Sequence, residues 1–167
     1  MPSLAKLVPL DAGRGNMVRS LWNRLHRLPG GRTLFSAVVG RYAPYTATIG
    51  AQVLELSERG SRVQLRDRPS VRNHLRCVHA VALVNLAELT GNVAVAYSLP
   101  DDARFIVAGL EIEYLVKARG TITASCTLEP IRTSVRREYD VRVTMHDPAG
   151  VQVAECRLRT LVGPKTA

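Results

Sequence analysis

Residues 78–97, VHAVALVNLAELTGNVAVAY, constrain the fold more than any other part of this chain. They read as one long helix, apolar on almost every side, with Glu88 as its only formal charge. Such a helix has to be covered nearly all round. The cover is expected from its flanks. Before it, TATIGAQVLELS (46–57) and SRVQLRD (61–67) alternate apolar and polar residues around a turn at 58–60, as a hairpin does. After it come four more strand candidates, FIVAGLEIEYLV (105–116), TITASCTLE (121–129), VRREYDVRVTM (135–145) and VQVAECRLRTLV (151–162). KARG, PIRTS and HDPAG separate them as turns. Strands joined this closely pair mostly antiparallel, so the chain is expected to be α+β: a curved antiparallel sheet wrapped round a central helix. One sheet of this size leaves an edge and a face open, which predicts a homodimer or a dimer of dimers.

Ahead of Pro44 the period is helical. Val18, Leu21, Trp22, Leu25 and Leu28 recur at spacings of three and four, Gly30 and Gly31 interrupt them, and a second helix is expected over 33–39. The chain thus divides into an N-terminal helical extension, 1–43, and a sheet-and-helix domain, 44–167. The basic amphipathic extension either caps the main domain with its arginines in water or lies on a membrane surface.

At 167 residues the chain can bury roughly two-thirds of its unfolded surface without covalent or metal staples. Cys77, Cys126 and Cys156 are odd in number and form no C-x-x-C pair, so neither a disulfide framework nor a metal site is expected. No uninterrupted apolar run approaches the roughly 18–20 residues of a bilayer span, and the start lacks the apolar core of a secretory leader. A cytoplasmic location without membrane insertion is the expectation. The formal charge is +9, and 20 of the 23 basic residues are arginine, which invites a polyanionic partner. Yet the arginines run from Arg14 to Arg159 without a basic stripe, stacked aromatics or a nucleic-acid motif. Nucleic acid is therefore not expected as a partner.

Within the central helix Asn85, Glu88 and Asn92 stand three and four apart, on one narrow face. Two readings are open. The face is a solvated stripe, or Glu88 is partly desolvated among Leu83, Val84, Leu86, Ala87 and Leu89 and suited to act as base or nucleophile near neutral pH. His79 sits where the helix begins, as a cap or beside a site in which unpaired backbone N–H groups hold developing negative charge. Asn73 reads by default as a turn residue. Cys77 beside His79 lacks an acidic orienter, which argues against a thiol nucleophile.

Asn73, five residues, His79, the small Ala80, and Glu88 nine positions after the histidine resemble the active-site signature of hotdog-fold thioesterases of the phenylacetate-degradation type. The resemblance runs from about residue 44 to 162 and includes the order of two strands, helix and four strands. APYTATIG, NHLRCVHAVALVNLAELTG and IEYLVKARGTITASC resemble the DUF4442 branch of that superfamily. The resemblance implies an acyl-CoA or acyl-carrier thioester as substrate, with no cofactor beyond coenzyme A as part of that substrate. It implies Glu88 as general base or nucleophile, Asn73 of the partner subunit as orienter, the Ala80 N–H as oxyanion donor, and His79 shaping the site. His74 and Asn85 are expected to line it. Arg132, Arg136 and Arg137 are candidates for coenzyme A phosphates, unless they are solvated charges on a turn. Ala80 and Val81 stand where relatives carry glycines, and Val107 and Ala108 where some carry a hydroxyl. These departures keep a non-catalytic acyl-CoA or acyl-lipid binding protein as the alternative; a hotdog dehydratase is disfavoured because the Asp/His hydratase signature is not apparent.

Overall fold

Asn16 opens α1 (Met17–Leu25) by accepting the Arg19 N–H on its side-chain oxygen, a helix N-cap. The computed structural model describes residues 16–165; residues 1–15, which hold the start of the expected extension and the region read for a leader, lie outside them with 166–167. Gly30, at φ +71°, turns the chain into α2 (Gly31–Tyr42), which is longer than the helix expected over 33–39. A side chain at Gly31 would meet the Leu25 carbonyl, so the turn requires glycine. The next segment departs from expectation. Residues 46–51, expected to open the first strand, are not strand: 46 and 47 close a single helical turn, α3 (Pro44–Ala47), because Pro44 occupies a first-turn position that suits its missing N–H. Gly50, at φ +58°, then redirects the chain into the first strand.

Six strands follow the expected order: β1 (Gln52–Ser57), β2 (Gly60–Leu65), β3 (Ala103–Tyr114), β4 (Ile122–Thr127), β5 (Arg137–His146) and β6 (Gln152–Pro164). They form one antiparallel sheet in the spatial order β1-β2-β4-β5-β6-β3, with β1 and β3 at its edges. Between β2 and β3 runs α4 (Ala80–Ser98), which packs across the sheet. The closest approach is at Gly91, where an added Cβ would lie 2.3 Å from Leu158 Cδ1 and 3.2 Å from Val141 Cγ1. Val63, Leu65, Ile122, Val141, Val143 and Leu158 are fully buried beneath it. By length and composition alone α4 is apolar enough to cross a membrane, contrary to the sequence expectation, since Glu88 is its one charge; 61% of its apolar window is buried inside the protein.

The N-terminal helices share this core. Trp22 and Phe35 stack edge to face at 5.0 Å and belong to the same buried cluster as α4 and the sheet. The Asn16 amide donates to the Ala96, Tyr97 and Leu99 carbonyls, and Arg19 to those of Tyr97 and Leu99. The unpaired carbonyls at the end of α4 are thereby satisfied. Some of the arginines are neutralised locally: Arg157 pairs with Asp140, Arg159 with Glu138 and Arg62 with Glu55.

Candidate functional site

Glu88 lies half-buried on the strip of α4 left accessible, together with Val81, Val84, Asn92 and Ala96. Its Oε1 accepts a long contact from Asn92 Nδ2, at 3.5 Å. Burial pushes the Cys156 thiol up to about 11, and the Glu88 charge adds to the effect. Asn85 shares the broad face but is covered, at 4% exposure, where its Nδ2 donates to the Tyr45 carbonyl of α3 at 3.2 Å. The side-chain oxygens of Asn85 and Asn92 are both buried without a hydrogen-bond partner among the described residues. The carboxylate is thus flanked along the helix by two unsatisfied acceptors, an uncommon arrangement in a settled interior.

The start of α4 is built by the 71–79 loop. His79 is the N-cap, and its Nδ1 accepts the Val81 N–H at 3.1 Å, which requires the neutral ring with its proton on Nε2. The Ala80 N–H has no partner among the described residues, while the Ala80 carbonyl accepts the Tyr114 hydroxyl at 3.3 Å. Asn73 holds the loop: its Oδ1 accepts the Leu75 and Cys77 N–H groups at 2.9 and 3.2 Å, leaving its Nδ2 to face outward contacts. Arg76, at φ +56°, makes the tight turn between them, and His74 is exposed. The Asp67 carboxylate ties this loop to the rest, accepting from Arg72 at 2.7 Å and from the Gly120 N–H at 3.0 Å.

Asn73, His74, His79 and Ala80 are therefore gathered at one end of α4, with Glu88 eight residues along it, roughly 12 Å at the rise of an α-helix. Arg132, Arg136 and Arg137 stand at the other end. Their loop is anchored by the Ile131 N–H donating to Ser98 Oγ, Arg132 pairs with Glu58, and Arg137 lies over the Tyr139 ring. Other basic side chains, passed over in the sequence, flank the helix start instead. The Val78 N–H donates to the Ala118 carbonyl, which brings the turn carrying the exposed Lys117 and Arg119 to the loop of Arg76 and His79. The KARG turn was the signal, but its pairing with a loop forty residues earlier is tertiary. Tyr114 was likewise hidden as a plain strand residue. Burial keeps the Cys126 thiol protonated, at about 12, and among the described residues no His, Cys, Asp or Glu group of three or more could hold a metal ion.

Residues 31–162 match a family described as "Domain of unknown function (DUF4442)", a span that takes in α2 as well as the sheet domain. Among solved structures the chain is similar to a structural-genomics protein, APC5556, at 29% identity and TM-score 0.78, covering 89% of this chain and 99% of that one. It is similar to PA5026 of Pseudomonas aeruginosa, described as a probable thioesterase, at 21% identity and TM-score 0.72, covering 83% and 97%. The PaaI protein of the E. coli phenylacetic acid degradation operon follows at 15% identity and TM-score 0.61, covering 80% and 99%. No curated protein matches the chain. The shared architecture is the hotdog fold, as the sequence resemblance implied.

Proposed function

The chain belongs to the DUF4442 family, and from that premise we propose that it hydrolyses acyl thioesters in a site assembled from two protomers. The observation that carries this reading is the half-buried Glu88 on α4, in contact with Asn92, whose side-chain oxygen is unsatisfied among the described residues, on a fold whose solved relatives include PA5026, described as a probable thioesterase. Either Glu88 takes a proton from the water that attacks the thioester carbonyl and passes it to the sulfur as the carbon–sulfur bond breaks, releasing acid and thiol, or Glu88 itself attacks, the thiolate leaves, and water then hydrolyses the acyl–Glu88 anhydride, giving its proton to the sulfur and restoring the carboxylate. The Ala80 N–H, unpaired at the helix start, receives the developing oxyanion.

The roughly 12 Å between Ala80 and Glu88 within one helix is too far for one carbonyl to touch both. Glu88 of one protomer must therefore work with the helix start of another. The sheet supplies a surface for that assembly. β3 is an unpaired edge twelve residues long, and its inward Phe105, Val107, Leu110 and Ile112 are only half-buried, while their β6 neighbours Val162, Leu158 and Cys156 are buried. An uncovered apolar edge of this length is a template for pairing. Lys117, Arg119 and Arg76 beside the helix start suit the phosphates of coenzyme A.

Val81, half-exposed beside the Ala80 N–H, narrows the approach to the helix start and favours the second reading, an acyl-thioester binding protein without turnover. Thiol release from short, medium, long and aromatic acyl-CoAs separates the two. Wild type is expected to release thiol and Glu88→Gln to lose about 100-fold or more of that rate. Binding of acyl-CoA by both proteins with turnover by neither selects the second reading.

A further inference from the structure

A cleft of about 440 Å³ opens where α2 and α3 cross the β1–β2 end of the sheet, well within the usual volume of small-ligand sites. Its deep lining is apolar, with Val53 and Leu89 buried at the base and Val39 above them. Small residues create the space: Ala37 and Gly40 on α2, Ala47 on α3, and Ala51 before β1. The polar side is cationic. Arg66 is exposed and Arg68 half-buried, and neither has a carboxylate partner among the described residues, whereas Arg62 and Arg72 on either side of them do. Arg68 is held in place. Its Nη2 donates to the Thr48 carbonyl at 3.3 Å, and its guanidinium lies so close to Gly50 that a Cβ there would come within 2.9 Å. Gln52 and Gln64, paired across β1 and β2, add neutral hydrogen-bonding groups between the two regions.

An apolar base with two unpaired guanidinium groups at its polar side is complementary to an apolar tail with an anionic head. We infer that this cleft binds a small anionic amphiphile, a carboxylate or phosphate head at Arg66 and Arg68 with its tail running toward Val53 and Leu89. The site is separate from the proposed reaction centre. Leu89 and Glu88 are adjacent in sequence but point about 100° apart on the helix. α3 covers the side on which Asn85 and Leu89 lie, while Glu88 does not line the cleft and stays half-exposed on the accessible strip of α4. The inference does not rest on thioester hydrolysis, and loss of every thiol-release signal would leave it standing.

The test is calorimetric titration of the full chain with octanoate, octyl phosphate and octanol. One of the two anions is expected to bind with one site per protomer, and octanol about tenfold or more weaker, since each charge-assisted contact is worth about a factor of ten. The preferred anion identifies the head group. Arg66→Ala with Arg68→Ala is expected to reduce the anion to the affinity of octanol, Ala37→Trp to abolish binding by filling the cleft, and Glu88→Ala to leave it unchanged. Equal affinity for octanol and the anions, full binding by the double arginine variant, loss of binding in Glu88→Ala, or no binding of either anion by wild type would each overturn the inference.

Discussion

Asp67 ties the candidate site together at the level of single residues. The Arg72 guanidinium hydrogen-bonded to it, opposed by partial burial and aided by the Gly120 N–H, holds its carboxyl below the ordinary 3.8. A carboxyl lowered in the folded state contributes stability that is complete above that ordinary value and is lost as the pH falls through the folded one. Asp67→Asn is therefore expected to lower the thermal unfolding midpoint at pH 7 by about 2–4 °C, and the gap to wild type should narrow as the pH falls below the ordinary carboxyl value. A gap unchanged with pH would show that the carboxylate's charge contributes nothing. Glu88, His79 and Asn73 were legible in the sequence because their spacing is local to one loop and one helix. Asp67 was not, because its partners Arg72 and Gly120 converge only when the β2–α4 loop meets the turn before β4.

At the level of elements, Gly91 sets how near α4 can come to the sheet. Glycine is unfavourable in a helix interior by about 1 kcal/mol relative to alanine, so an exposed site would gain from Gly→Ala. Here the added methyl would press on Leu158 and Val141, both fully buried. Gly91→Ala is expected to destabilise the protein by about 1–3 kcal/mol in denaturant unfolding, and a gain in stability would show that the core yields more readily than its packing implies. The long helix and all six strands were legible from periodicity. The segment at 46–51 was not, because alternation in TATIGAQVLELS fits a strand equally well, and only Pro44 and the left-handed Gly50 decide that the strand starts later.

At the scale of the whole molecule, a site shared between protomers makes a quantitative prediction. Glu88→Ala and Asn73→Asp, the latter keeping the oxygen that holds the loop, are each expected to be inactive. Mixed and refolded in equal amounts, they should recover about one quarter of wild-type thiol release, because half the dimers are mixed and each of those has one intact site of two. No recovery, with mixed dimers demonstrated by a tagged subunit, would place Glu88 and Asn73 in the same protomer's site. The sequence by itself determined the fold: a helix apolar on nearly every side, set among strands joined by short turns, leaves a wrapped sheet as the economical way to bury it. It also determined the loop that starts the helix and the carboxylate on it, because these depend on spacing along one stretch of backbone. Only the tertiary structure decided which face of α4 stays open, that Asn85 lies under α3 while Glu88 stays half-exposed, and that the turn carrying Lys117 and Arg119 meets the helix start while Arg132 does not. Those outcomes depend on contacts between residues far apart in the chain, and neither periodicity nor composition carries information about which distant surfaces meet.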